Sequence, residues 1–325
     1  MTKRNEITSD SEKSPPQSLA AAPLERYDCF KLQEKENTVR ILVIGAQGQL
    51  GSDLVTELHE HELVTPTHGE LELTDAPALE QYMDHHKPRV VINAAAFHDV
   101  PRCEKEPEKA FAVNATALQG LGRACRLVKA RLVHISTDYV FDGQAGRPYA
   151  EEDLPAPLMV YGASKLAGEH LCRAENEDTL IVRTTGLFGH SPCRAKAGHS
   201  FVSTILERGL QKGEVQVVSD QRCCPTYTGD LAAQIRALLQ AEAQPGLYHA
   251  VNTPGLTWAD LARLTFRLAK VDAQVQDISS EQLGADLRRP KDSRLTCAKL
   301  RQMGLLRMRP LEEALADFLR EIRPS

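Results

Sequence analysis

No stretch of 18 apolar residues occurs in this chain, so nothing in it reads as a membrane-spanning helix. Its N-terminus, MTKRNEITSDSEKSPPQSLAAAPLERYD, lacks the apolar core and cleavage site of a secretory leader. A basic excess is lacking too. Against 39 Lys and Arg stand 44 Asp and Glu, a net charge of −5, which leaves no surplus to neutralise a phosphate backbone. Neither nucleic acid nor a membrane is therefore expected as a partner, and the expected compartment is cytoplasmic. The eight cysteines form no CxxC pair and no four-ligand zinc spacing; only Cys223 and Cys224 are neighbours. Scattered cysteines suit reduced thiols.

What is present is alternation. Residues 1–37, rich in Ser, Pro, Glu and Lys, are expected to be a disordered tail that cannot offset its ordering entropy. From Val39 onward, short apolar runs alternate with amphipathic ones. RILVIG (40–45) is followed by a helix from Gln49 to His61, then LVTPT (63–67) and a helix from Asp75. RVVINAAA (89–96), one long helix through 104–128, RLVHIS (131–136), a helix carrying Tyr161 and Lys165, and TLIVRT (179–184) continue the series. This order predicts an α/β fold, a Rossmann-type doubly wound parallel sheet with helices on both faces. The rest is less regular, with a helix near 201–211, VQVVS (215–219), GLYHAV, a helix from Thr257 and a terminal helix from Pro310. The expected division is a dinucleotide-binding domain over 38–185 and a smaller C-terminal α/β substrate lobe over 186–325, with some segments returning to the core. Such a lobe would cover the carboxyl ends of the strands, where open parallel sheets bind ligands.

The segment VIGAQGQLGSDLV places Gly45, Gly48 and Gly51 directly after the first strand and at the start of the first helix. That spacing permits a tight turn, approach of a pyrophosphate to the backbone, and close helix-on-strand packing. Free N–H groups and the helix dipole then favour phosphate, so a nicotinamide dinucleotide is the expected ligand. The second strand ends in Thr65-Pro66-Thr67-His68, with no carboxylate before Glu70 to take the ribose 2′-hydroxyl. NADPH or NADH could fit, with a lean toward the phosphorylated form.

Tyr161 and Lys165 lie four residues apart and share a helix face. A free phenol has a pKa of about 10, and a neighbouring ammonium favours the phenolate, so the pair can act as a proton donor and its support. The fourth strand ends in Ser136, Thr137 and Asp138, where a hydroxyl can reach a substrate oxygen. Blander readings stand beside these: a turn or cap hydroxyl for Thr137, a half-buried ring for Tyr161, a solvated charge for Lys165.

Taken together, the glycine triplet, STDYVFDG, YGASKLAGE, VVSDQRCCPTYTGDLA, GLYHAVN and RRPKDSRLTCAKL resemble the extended short-chain dehydrogenase/reductases. Within them the resemblance is to the dTDP-4-dehydrorhamnose reductases, from about Arg40 to Arg320. It implies NAD(P)H-dependent reduction of the C4 keto group of a dTDP-linked deoxysugar, dTDP-4-dehydro-L-rhamnose giving dTDP-L-rhamnose. It further implies Tyr161 as general acid, Lys165 as its electrostatic support and ribose contact, and Thr137 with Asp138 at the substrate. Gly45, Gly48, Gln49, Leu50 and Gly51 would form the pyrophosphate loop, Glu72 and Leu73 would lie near the adenine, and Ala94, Ala95 and Ala96 would floor the cofactor. Asn114 matches the family's asparagine on the long helix. A homodimer fits the resemblance, and such reductases can use Mg2+ at a dimer contact, although Pro101 replaces an expected aspartate and no metal ligands can be placed. Other departures fall near the sugar: Gly186 where a tryptophan wall is usual, Cys223 where glycine is usual, and His199 where asparagine is usual. The alternatives are a reductase of another nucleotide-linked 4-keto sugar and a non-catalytic regulatory subunit resembling the methionine adenosyltransferase β subunit.

Overall fold

Five parallel strands form in the order anticipated: β1 (Arg40–Ile44), β2 (Glu62–Val64), β3 (Val90–Asn93), β4 (Arg131–Thr137) and β5 (Thr179–Thr184). The computed structural model describes residues 38–192, 200–284 and 287–322. The expected tail over 1–37 and His199 lie outside the described residues. A sixth strand, Gly246–His249, returns from the C-terminal part to pair with β5, giving the order 246–249, β5, β4, β3, β1, β2. Every pairing in this sheet is parallel.

The helices between the strands show why the sequence reads as α/β. The helix α1 (Gln49–Glu57) follows β1, and α2 (Ala76–His86) starts at Asp75, whose carboxylate accepts the Ala78 N–H at 3.1 Å. Leu42, Ile44, Val91, Leu132 and Ile181 on the sheet pack with Leu79 and Leu121 in one buried cluster. Alternate β1 residues Ile41 and Val43 are equally buried on the other face, toward α1. Against α1 packs a helix that the sequence pattern does not separate, Thr228–Gln240. Arg236 on it bridges Glu57 and Glu60 at 3.1 and 3.3 Å.

The expected single helix over 104–128 is instead broken into α3 (Val100–Lys105), α4 (Pro107–Phe111), a π-helical turn (Ala112–Thr116) and α5 (Ala117–Val128). Pro107 has no N–H to continue α3 and starts α4 at its first position. The π turn carries Asn114, whose amide bonds Phe97 at both N (2.8 Å) and O (2.9 Å) and donates to Ser164 Oγ at 3.1 Å. A wide turn here ties the loop after β3 to the next helix, α6 (Val160–Glu175).

Helix α6 is pressed hard against its surroundings. Its first N–H, on Val160, donates to Glu104 Oε1 at 2.7 Å, a cap supplied by α3. A β-carbon on Gly168 would overlap the Asn114 carbonyl. Four residues beyond Lys165, Glu169 is buried against the sheet. Its carboxylate accepts from Arg183 Nε at 2.9 Å and Nη2 at 2.7 Å on β5, and from Ser136 Oγ on β4. Arg183 is 3% exposed, and its guanidinium also lies 5.1 Å from the Phe141 ring centre. Removing one member of such a pair strands the other charge in the interior, at a cost of about 3–5 kcal/mol. Glu169→Ala is therefore expected to lower unfolding stability by about that amount in denaturant titrations, with Glu169→Ala/Arg183→Met recovering most of it. An unchanged midpoint for Glu169→Ala would contradict this role.

Candidate active site

The turn after β1 is built for close approach. Gly45 has φ +83°, and a β-carbon there would lie 2.9 Å from Ala95 N; one on Gly51 would overlap the Gly45 carbonyl. Gly48 caps α1 with no side chain on the helix N-terminus and no side-chain hydrogen bond to its first N–H groups. Above this turn opens a cavity of about 860 Å³. It is lined by Gly45, Gly48, Gln49, Leu50 and Gly51, by Glu72 and Leu73, by Ala94, Ala95 and Ala96, and by Thr137, Asp138, Tyr161 and Lys165. Residues gathered from five separate stretches thus face one space. Asn114 is not among them; it stands behind the wall as a buried brace.

A dinucleotide suits this cradle. The side chain-free cap and the clearance at Gly45 and Gly51 leave room for a pyrophosphate, and the cavity continues past Thr67, His68 and Glu72. Gln49 Nε2 and Thr184 Oγ1, both on lining residues, are buried polar atoms with no hydrogen-bond partner among the described residues. No comparable fit exists for Mg2+: among the described residues, no three His, Cys, Asp or Glu side chains gather as a ligand set.

Tyr161 and Lys165 do share a face of α6, but their relation differs from the simple expectation of an ammonium beside a phenol. Lys165, 2% exposed, donates from Nζ to the Ile135 carbonyl at 2.7 Å and meets His134 Nε2 at 3.1 Å. The ring of His134 is itself oriented. Asn93 Oδ1 accepts the Ala95 N–H at 3.1 Å, which turns Asn93 Nδ2 to His134 Nδ1 at 3.1 Å. An ammonium at Lys165 donates to a bare Nε2, whereas a neutral amine can accept from an Nε2–H, so the imidazole tautomer and the lysine's charge are tied to each other. Burial lowers the Lys165 amine to about 8 and holds His134 well below its ordinary value. Burial and the charge of Asp138 push the Tyr161 phenol up, while its hydrogen bond with the Thr137 hydroxyl pulls it down. The groups that set the phenol's protonation are thus on β4 and the turn after it.

Thr137 serves both readings the sequence left open. Its Oγ1 accepts the Tyr139 N–H at 3.2 Å as a turn hydroxyl, and it donates to Asp138 Oδ1 at 3.0 Å. Asp138, 2% exposed, also accepts from Ser293 Oγ at 2.5 Å; burial raises its carboxyl to about 6 against these bonds. His134, Asn93 and Ser293 were not singled out from sequence. The alternation of HIS along β4 sets His134 and Ser136 on one face, yet nothing local reveals that Lys165 and Glu169 meet them there.

The aromatic wall that Gly186 removes is not absent. Trp258 lines the cavity beside Gly186, supplied by the C-terminal part of the chain. All six described cysteines are buried, and burial raises the Cys103 thiol to about 11 and the Cys224 thiol to about 12, which suits inert thiols. For Lys165 the arrangement predicts an amine that titrates near pH 8 in lysine-selective NMR, ammonium below and neutral amine above, its signal identified by loss in Lys165→Met. Titration at or above the ordinary value of 10.5 would contradict it.

Comparison with known proteins agrees with this geometry. The model of the RmlD substrate binding domain matches residues 39–323. A dTDP-4-dehydrorhamnose reductase of Streptomyces griseus is 39% identical over 286 residues, 86% of this chain and 92% of the relative. A dTDP-4-keto-6-deoxy-D-glucose reductase of Streptomyces niveus is 37% identical, covering 86% and 96%. The crystal structure of dTDP-4-dehydrorhamnose reductase from Bacillus anthracis in complex with NADP superposes with a TM-score of 0.83 at 36% identity, over 88% of this chain and all of that one. With a family model spanning nearly the whole described fold and relatives this similar over most of their length, the chain belongs to the dTDP-4-dehydrorhamnose reductase family.

Proposed function

We propose that this protein reduces the C4 carbonyl of a dTDP-linked 4-keto-6-deoxysugar with NADPH, converting dTDP-4-dehydro-L-rhamnose to dTDP-L-rhamnose. The observation that carries the reading is the meeting of Tyr161, Thr137 and Lys165 with the glycine turn in one cavity. When bound, the reduced nicotinamide supplies the hydride. Tyr161 then gives its phenolic proton to the alkoxide that develops at C4. A phenol raised by burial remains protonated until that strong base forms, so it serves as a donor rather than an anion. Thr137 orients the phenol and can share a hydrogen bond with the substrate oxygen. Lys165, four residues along the same helix, takes the role of ribose contact in this reading.

The residues after β2 favour the phosphorylated cofactor. Glu70 does not line the cavity; its carboxylate is held by Thr67 N at 2.8 Å and Thr67 Oγ1 at 2.9 Å. Lys109 does line it, together with His68 and Glu72, and supplies a cation for a 2′-phosphate. The proposal includes a cytoplasmic setting, a homodimer, and the roles given above to the loop, adenine and floor residues.

A second reading has its own support. The Streptomyces niveus relative is named for a different keto sugar, and the wall at Gly186 and Cys223 departs from the family pattern. A related 4-keto sugar nucleotide is thus the competing substrate. The regulatory-subunit reading has no such observation behind it. Loss of absorbance by NADPH is expected with dTDP-4-dehydro-L-rhamnose, faster than with NADH and faster than with the dTDP-4-keto-6-deoxy-D-glucose isomer. Turnover only of the glucose-configured sugar would select the second reading, and no oxidation with either would refute both.

A further inference from the structure

The wall around Gly186 is assembled from residues far apart in sequence. A β-carbon on Gly186 would lie 3.2 Å from Pro225 Cα, 3.5 Å from Cys223 Sγ and 3.6 Å from Cη2 of Trp258. Its φ of +57° disfavours any larger residue, so the lining at this point comes from the neighbours. Backbone pairing brings the indole there. Leu256 and Thr257 pair antiparallel with Cys223 and Arg222, and Thr257 then caps the helix Trp258–Ala269 by accepting the Asp260 N–H at 3.0 Å. Trp258 therefore occupies the first helical position, immediately after the strand that carries it alongside Cys223. Phe201 supports the indole, with ring centres 4.8 Å apart. The side chain is only partly buried, and it lines the same cavity as Thr137, Asp138 and Tyr161.

An indole held by a second ring and left partly open to a cavity is a rigid apolar platform. A pyranose presents ring C–H groups on one face, and a 6-deoxy sugar adds a methyl group, so the ring of such a sugar suits this surface. We infer that Trp258 is a specificity-determining residue whose indole stacks on the apolar face of the sugar ring. The inference rests on the sugar-nucleotide reading above. It concerns the sugar, leaving the dTDP moiety and the cofactor to other walls.

Because Trp258 is the single tryptophan of the chain, indole emission of the whole protein reports on this one side chain. Titration with dTDP-L-rhamnose is expected to change that emission saturably, while dTDP alone, with binding checked by calorimetry, leaves it nearly unchanged. Trp258→Ala is expected to raise KM for the dTDP-keto sugar by about 10–100-fold, the range typical of a lost apolar contact, with KM for NADPH and inhibition by dTDP unaltered. Trp258→Phe should keep KM within about threefold, as Phe preserves an apolar ring at the site. Calorimetric binding of dTDP-L-rhamnose without an emission change, or wild-type KM in a folded Trp258→Ala, overturns the role of Trp258 and leaves the sugar-nucleotide reading standing. Should Trp258→Ala not fold, the wild-type emission and Trp258→Phe decide the matter. No heat of binding with any dTDP-sugar overturns both.

Discussion

The buried pairing of Glu169 with Arg183 and Ser136 is the constraint on which the site depends. Tyr161, Lys165 and Glu169 recur every four residues, so all three lie along one stripe of α6. Glu169 binds this stripe to the ends of β4 and β5, the two strands whose carboxyl ends carry Thr137 and Thr184. Once Glu169 is fixed, the rise and turn of the helix place Lys165 over His134 and Tyr161 beside Thr137. The Glu104 cap at Val160 and the contact of Gly168 with Asn114 complete the seating. An interior charge pair is a weak source of net stability, and its value here is geometric.

Desolvation governs the chemistry of the groups so placed. It raises the Tyr161 phenol and the Asp138 carboxyl, and it lowers Lys165 and His134. Each shift moves toward the uncharged form, yet with Asp138 near 6 and Lys165 near 8 it is the Tyr161 phenol that holds its proton throughout the neutral range. Such a site is suited to give a proton to a charge that appears only during reaction. The Asn93–His134–Lys165 contacts add position, holding the imidazole between the Asn93 amide and the lysine amine.

Much of this was legible in the sequence, and the boundary tracks contact range. The strand–helix alternation, the glycine turn and the Tyr161–Lys165 spacing are local patterns, and each produced a feature of the fold or a wall of the cavity. The break in the 104–128 helix was foreshadowed by Pro107, but the π turn serves Phe97 and Ser164 and cannot be read from the helix alone. Strand Gly246–His249 joins β5, a pairing partner that its own residues do not specify. The His134–Lys165 contact spans 31 residues, and the wall formed by Gly186 and Trp258 depends on pairing between 222–223 and 256–257. Those placements arise from tertiary packing, where no local period or motif carries a signal. The position of Lys165 likewise differs from a sequence-level ion–phenol pair because a buried amine is drawn to the carbonyl of Ile135.

The central claim is that Tyr161 donates the proton on which carbonyl reduction depends. Single-turnover oxidation of NADPH with the dTDP-4-keto sugar, comparing wild type and Tyr161→Phe, tests it most directly when NADPH affinity is measured alongside. The account predicts a rate lower by about 10²–10⁴ for the Phe variant with unchanged cofactor binding. A wild-type single-turnover rate in Tyr161→Phe would contradict it.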